Sequence, residues 1–350
     1  MKLSRFVTLT ALLFALLLNG SCEKSGKGGP PDINPPEHVN ADVYGRVTDD
    51  SNVPVQGATV KSGTLTTTTD VNGYFRFNSA PLDKTNGFIK VEKEGFFQGS
   101  RTFTPNTAAT NYVSIRLIKK FLSGSFSAAS GGTVTESTGG TIIFPANGVV
   151  NAANNSAYTG NVSVYAYFIN PAAAGFRDIM PGALRGINAN NQATGLKSYG
   201  MIAVELTGAG GEKLQLANGK TATITLPIPT TLQSQAPATI PLWHFNDTTG
   251  VWKQEGSATK QGVNYSGTVS HFSFWNCDDP FPVVDFAVTI KDQNNNPLRY
   301  TEVVLKIVGD TVNPAENGYT DSTGKVAGPV PLNKTMQMQV LNHCGVVIDT

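Results

Sequence analysis

The sequence predicts an all-β protein built from tandem β-sandwich domains. Only 15% of the 350 residues are charged, whereas Thr, Ser, Asn and Gly are abundant. Short segments of alternating apolar and polar residues are separated by turns rich in Asp, Asn, Gly and Pro, which is typical of closely spaced strands. The net charge of +1 provides no basic excess, so we expect no nucleic-acid partner.

The first 21 residues have the pattern of a secretory signal peptide. Two basic residues precede an apolar segment, 6–18, that is too short to span a membrane as a helix. The small residues Gly20 and Ser21 then precede Cys22. This arrangement resembles the signal of bacterial lipoproteins, which implies that Cys22 is lipidated and becomes the mature N-terminus. An ordinary cleaved signal, with Cys22 as a plain thiol, is the alternative.

Residues 22–40 predict a tether rather than a folded segment. They contain Gly and Pro runs and no apolar periodicity, so the chain is expected to be flexible near its Gly residues and stiffer at its Pro pairs. With a lipid on Cys22, the membrane is the first expected partner. The resemblance implies the outer membrane of a Gram-negative bacterium, with the protein facing the periplasm or the cell surface.

Residues 41–119 predict the first sandwich, with seven short strands. Four blocks occur in order: GRVTD, PVQGATV, TTDVNGYFRF and VEKEGF. Together they resemble the carboxypeptidase regulatory-like domain, which implies a transthyretin-type sandwich and a non-catalytic accessory role. The positions carried over from that resemblance are structural: Gly45, Pro54, Gly57, Ala58, Asp70, Gly73 and Gly95.

Residues 283–350 predict a partial second copy of this sandwich. Asp292 precedes Pro297 by five positions, as Asp49 precedes Pro54 in the first sandwich. The first sandwich ends with a further strand, 112–118, for which the second copy has no counterpart. A sandwich without this strand exposes a sheet edge, which natural proteins usually cover. Two explanations remain: the sequence is a fragment of a longer protein, or another molecule supplies the strand.

Residues 120–280 predict a larger β-rich domain. The blocks GGTIIFP, WHFNDTTGVW and VSHFSFWN occur in it, the second as a hairpin. Together they resemble a domain shared by cartilage intermediate layer proteins and certain bacterial surface lipoproteins. That resemblance implies a structural or interaction role rather than catalysis.

Motifs for catalysis or cofactor binding are missing from the sequence. No nucleophile elbow and no Gly-rich phosphate loop occurs. The four histidines, His38, His244, His271 and His343, show no metal-binding spacing along the chain. The sequence therefore predicts a non-enzyme with no cofactor and no metal site.

Five further residues carry candidate roles. Cys277 and Cys344 are a candidate disulfide in an oxidising compartment, although two separate thiols are the alternative. Trp243, Trp252 and Trp275 are a candidate stacking platform for sugars, although aromatic residues of this kind also fill sandwich interiors.

Three functions remain open at this stage. The first is a lipid-anchored structural or adhesive module that binds a protein in the cell envelope. The second is a carbohydrate-binding surface lipoprotein that uses the three tryptophans for a polysaccharide. The third is a set of accessory domains belonging to an enzyme whose catalytic region follows residue 350.

Overall fold

Strand pairing divides the computed structural model into a first sandwich, a central sheet and a third sandwich. The structure describes residues 37–310, 314–342 and 345–350. The predicted all-β class is confirmed, since the helices within these ranges are a single turn of α-helix, α1 (Phe176–Ile179), and a 3-10 turn at Thr230–Leu232. In the same ranges, no helix has the length and hydropathy needed to cross a membrane. The domain boundaries stay predictions.

The first sandwich consists of two sheets that enclose a dense apolar core. Its strands are β1 (His38–Asp49), β2 (Thr59–Ser62), β3 (Leu65–Thr68), β4 (Tyr74–Asp83), β5 (Gly87–Glu92), β6 (Gly99–Phe103) and β7 (Asn111–Leu117). They pair in the orders β4-β1-β7 and β3-β2-β5-β6. Strand β1 is antiparallel to β4 and parallel to β7. Alternate residues of β7, including Val113 and Ile115, point into the core.

The central sheet contains thirteen strands within the described residues. They are β8 (Leu122–Ser127), β9 (Gly132–Thr135), β10 (Thr141–Phe144), β11 (Val149–Asn151), β12 (Asn161–Ile169), β13 (Arg185–Ile187), β14 (Ala193–Thr207), β15 (Lys213–Leu216), β16 (Ala222–Pro227), β17 (Thr239–Asn246), β18 (Val251–Gln261), β19 (Asn264–Val269) and β20 (Phe274–Phe281). One core includes Trp275, and a second includes Trp243, Trp252 and two residues of the first sandwich segment, Phe97 and Ile118. Parts of this sheet are therefore buried on both faces.

The third sandwich repeats the first, with six strands in the described residues against seven in the first. Its strands are β21 (Val283–Thr289), β22 (Glu302–Ile307), β23 (Pro314–Tyr319), β24 (Lys325–Pro331), β25 (Met336–Leu341) and β26 (Val347–Asp349). They pair as β21-β24 and as β23-β22-β25-β26. The first and third sandwiches have the same strand order when β21 is aligned with β1 and β24 with β4.

Equivalent turns in the two sandwiches share the same local chemistry. Asp70 accepts hydrogen bonds from the backbone N–H groups two and four residues later, and Asp321 does the same. The glycine that follows has a positive φ in both turns, 77° at Gly73 and 79° at Gly324. Side chains disfavour this backbone region, so the turn selects for glycine.

Arg101 of β6 joins the first sandwich to the loop that carries α1. Its Nη1 donates to the carbonyl oxygens of Arg177 at 2.9 Å and Gly182 at 3.3 Å. Its Nη2 donates to the carbonyl oxygen of Asp178 at 3.0 Å, and its Nε donates to that of Ser114 at 3.2 Å. One guanidinium therefore satisfies three carbonyl groups of a loop more than 70 residues away in sequence.

Candidate functional site at the open edge of the third sandwich

Strand β21 has one paired edge and one edge without a strand partner in the described residues. Its antiparallel neighbour is β24, from Val283↔Pro331 to Thr289↔Lys325. In the first sandwich the equivalent strand β1 has β4 on one side and β7 on the other. The backbone groups along the second edge of β21 are therefore available to a further strand.

The apolar side chains of β21 are more exposed than their counterparts in the first sandwich. When the two sandwiches are aligned on Asp49 and Asp292, Val284 corresponds to Ala41 and Phe286 to Val43. Ala41 and Val43 are 3% and 0% exposed, whereas Val284 and Phe286 are 47% and 38% exposed. Burial of such side chains is favourable by roughly 25 cal/mol per Å² of apolar surface, so this edge retains a driving force for association.

The opposite sheet of the third sandwich shows the same incompleteness. In the first sandwich β6 packs against β7. Strand β26 holds the place of β6, and Val346, Val347 and Ile348 in and beside it are all exposed. The third core is correspondingly small, with Ile290, Val303 and Val340 as its buried cluster. Two exposed apolar strands therefore flank the position that β7 occupies in the first sandwich.

Few features protect this edge from pairing. Natural proteins usually blunt an exposed edge with Lys, Pro, a bulge or a covering loop. Strand β21 contains one charged residue, Asp285, and no Pro, and its pairing with β24 is regular throughout. The edge is therefore suited to accept an extended polypeptide.

A cavity of about 260 Å³ lies between the first and third sandwiches. Arg185 lines it and donates from Nη1 to the carbonyl oxygen of Thr85 and to Thr104 Oγ1, both at 3.2 Å, while its Nε has no hydrogen-bond partner among the described residues. Burial raises the pKa of Glu316, across the cavity, to about 7, and the charge of Arg185 opposes that rise. The cavity offers a donor and a titratable carboxyl to a small polar group.

The structure contradicts the predicted tryptophan platform. Trp243, Trp252 and Trp275 are each 0% exposed, so no face of any of them is available to a sugar ring. The indole N–H of Trp243 donates to the carbonyl oxygen of Asp278 at 3.1 Å, and that of Trp275 donates to the carbonyl oxygen of His271 at 2.9 Å. All three tryptophans are core residues.

The reason for this burial is the cover over both faces of the β17–β18 hairpin. Phe88 of the first sandwich contacts Phe245, with ring centroids 6.0 Å apart, and Thr102 Oγ1 donates to the carbonyl oxygen of Gly250 at 2.5 Å. Phe272 and Phe274 are two positions apart but lie in different cores, because β20 begins only at Phe274.

Of the three cysteines, Cys277 lies within the described residues. Cys277 is a buried free thiol on β20, and burial raises its pKa. Cys22 and Cys344 lie outside the described residues, so lipidation of Cys22 and pairing of Cys277 with Cys344 stay predictions.

Sequence reasoning missed one cluster of potential ligands. His244, Glu255 and His271 come together on the central sheet, although 27 positions separate the first from the last. Their spacing follows no metal-binding motif, because His244 lies on β17, Glu255 on β18 and His271 in the bend after β19. Only the register of β17 with β18 and β20 could have revealed the cluster.

Comparison with known proteins gives a distant sequence relative. The chain is 26% identical to human cartilage intermediate layer protein 2 over 123 residues, which are 35% of this chain and 10% of that protein. The predicted similarity to a cartilage intermediate layer protein is confirmed at this level. The match spans a tenth of the relative, and no protein-family model matches the chain. The resemblances to lipoproteins and to the carboxypeptidase regulatory-like domain stay predictions.

Solved structures give distant similarities. BcpA, the major pilin subunit of Bacillus cereus, is 9% identical, with 88% of this chain and 91% of that chain covered and a TM-score of 0.16. The full-length major pilin SpaD of Corynebacterium diphtheriae is 8% identical, with 89% and 87% covered and a TM-score of 0.19. Similarities of this size carry no argument about function.

Proposed function

We propose that this chain is a lipid-anchored, non-enzymatic protein of the cell envelope that binds a protein partner by strand addition at β21. The signal-like first 21 residues and Cys22 support the location and the anchor. A single acyl chain gives marginal membrane binding, whereas the several chains of a bacterial lipoprotein anchor it stably.

The observation that carries the proposal is the open edge of β21. Its apolar side chains Val284 and Phe286 are exposed, although their counterparts in the first sandwich are buried. Strand addition uses backbone hydrogen bonds for affinity and pockets for alternate side chains for specificity. The second edge of β21 offers the backbone groups, and the exposed Val284 and Phe286 offer apolar contacts to the side chains of an added strand.

The first sandwich also defines the occupant. Strand β7 lies parallel to β1, with Val43 opposite Asn111 and Val47 opposite Ile115. The partner is therefore expected to supply an extended segment parallel to β21, with apolar residues at alternate positions. In the first sandwich these positions are held by Val113, Ile115 and Leu117.

A synthetic peptide with the sequence of residues 110–120 tests the proposal. It should bind the intact chain and slow amide hydrogen exchange in β21. The control peptide carries Val113→Thr, Ile115→Thr and Leu117→Thr and should not protect β21. Absence of protection at millimolar peptide, or equal protection by both peptides, would contradict strand addition.

A receptor variant tests the site itself. Burying the exposed part of Phe286 is worth roughly 1 kcal/mol, so Phe286→Ser should weaken peptide binding about five-fold. Val263→Ser is the matched control, because Val263 is an exposed apolar residue in the β18–β19 turn. Equal effects of the two substitutions would place the binding elsewhere.

The anchor is tested on the mature protein from its native membrane. Mass spectrometry of the N-terminal peptide should find an acylated Cys22, and Cys22→Ala should release the protein into the soluble fraction. An unmodified Cys22, or cleavage at another position, would contradict the anchor.

The third function, a set of accessory domains of an enzyme, requires a longer natural chain. If the next strand of such a chain pairs with β21 and blocks peptide binding, binding of a partner at β21 is contradicted.

A further inference from the structure

Three side chains from different segments of the central sheet bring potential metal ligands together. His244 Nε2 lies 3.6 Å from Glu255 Oε2, and His271 Nε2 lies 3.5 Å from the same oxygen. All three ligand atoms lie within 4.8 Å of one another. Two imidazoles and one carboxylate are therefore arranged around a common point.

The sheet fixes the position of each ligand. His244 lies on β17 and Glu255 on the neighbouring β18, while His271 lies in the bend between β19 and β20. Trp275 contacts both histidines, with ring centroids 5.7 Å from His244 and 5.0 Å from His271. Because Trp275 is a buried core residue, both imidazole rings pack against a fixed side chain.

Hydrogen bonding orients the carboxylate. Ser270 Oγ donates to Glu255 Oε1 at 2.6 Å, which leaves Oε2 directed at the histidines. Such supporting contacts orient metal ligands and typically change metal affinity by roughly 10- to 100-fold. Ser270 is therefore placed as the outer partner of a ligand set.

We propose that His244, Glu255 and His271 bind one Zn²⁺ ion. With ligand bonds of about 2.0–2.1 Å, tetrahedral geometry sets ligand atoms roughly 3.4 Å apart, close to the two distances from Glu255 Oε2. The side chains of His244, His271 and Glu255 are 18%, 32% and 42% exposed, so an ion reaches them from solvent.

A cavity of about 430 Å³ adjoins the two histidines. Its lining also includes polar residues such as Glu205, Lys213 and Gln215. Three protein ligands with an open position leave room for water or for one donor atom of another molecule. The site is therefore suited to hold an exchangeable ligand rather than to close around the metal.

Calorimetric titration of the purified, metal-stripped chain with zinc chloride tests the proposal. One Zn²⁺ per chain should bind, and Co²⁺ in its place should give the visible absorption of a tetrahedral centre. Glu255→Gln and His271→Ala should each weaken Zn²⁺ binding at least ten-fold, and Ser270→Ala about ten-fold. His38→Ala is the matched control, because His38 is the described histidine outside the cluster.

Several outcomes would overturn the site. One is the absence of stoichiometric Zn²⁺ binding by the unaltered chain. The other is Zn²⁺ binding that is unchanged in Glu255→Gln and His271→Ala but weaker in His38→Ala. Circular dichroism of the metal-free variants separates a lost ligand from a lost fold, and Glu255→Gln keeps the size of an exposed side chain. The peptide assay at β21 does not involve these residues, so the two proposals can fail separately.

Discussion

Replacing Arg101 tests whether the first sandwich and the central sheet act as one unit. The guanidinium makes four hydrogen bonds, three of them to the loop at residues 177–182. A hydrogen bond from a charged donor contributes about 1.5–3 kcal/mol, but such losses are not additive and water replaces part of them. We therefore expect Arg101→Ala to lower the free energy of unfolding by about 3–5 kcal/mol.

The matched control is another arginine of the same sandwich. Arg76 forms an ion pair with Asp42 at 3.4 Å, and its side chain is 56% exposed. Pairs of this kind contribute roughly 0–1 kcal/mol, so Arg76→Ala should have little effect. Urea unfolding gives both values, and hydrogen exchange should report faster opening at residues 176–187 only for Arg101→Ala. Equal losses in the two variants, or a loss below about 1 kcal/mol for Arg101→Ala, would refute the reasoning.

Three further predictions concern single positions. Gly324→Ala should cost about 1–3 kcal/mol in urea unfolding, because the new Cβ would lie 2.6 Å from the carbonyl oxygen of Ile290 at a φ of 79°. Gly309→Ala, where a Cβ meets nothing within 4 Å, should cost less, and equal costs would contradict the steric argument. Cys277 should stay unlabelled by a thiol reagent until the chain unfolds, and mass spectrometry that finds it labelled in the folded protein would contradict its burial. Glu316 has a folded pKa of about 7 against an ordinary value of 4.5, so its contribution to stability falls by at most about 3 kcal/mol as the pH rises from 4.5 to 7. Glu316→Gln should remove that fall in urea titrations at the two pH values, and an unchanged pH profile would contradict it.

The features predictable from the sequence were those set by local turn chemistry. Asp70 with Gly73 and Asp321 with Gly324 mark the same turn in two places, because an Asx-type turn and a positive φ each restrict the residues that fit. The internal repeat could therefore be found without any knowledge of long-range contacts.

One sequence feature does indicate that the central sheet is buried on both faces. Residues 201–204 are four consecutive apolar residues, all buried in β14. A continuous apolar run is typical of a strand covered on both sides. Alternation along a single strand cannot show what lies over its outer face, so it could not place Trp243, Trp252 and Trp275 in a core.

The His244–Glu255–His271 cluster depends on register, which the sequence did not specify. A bulge between Pro241 and Trp243 shifts β17 against β18 and sets Glu255 beside His244. One residue of slip would move every side chain of the strand to the other face. Such a cluster is therefore predictable only after the strand pairing is known.

The open edge of β21 is held in a fixed place by polar contacts rather than by its own core. Arg177 of α1 forms an ion pair at 2.8 Å with Glu302 of β22, which is buried, and Asn106 of the first sandwich donates to Asp321 at 2.6 Å. Breaking a buried ion pair by removing one partner costs roughly 3–5 kcal/mol, so these contacts keep the third sandwich docked while its core is incomplete. A strand added to an edge that is already fixed loses little affinity to rearrangement. Arg177→Ala should therefore weaken binding of the 110–120 peptide even though Arg177 does not touch the edge, whereas unchanged affinity would show that β21 needs no support from the rest of the molecule.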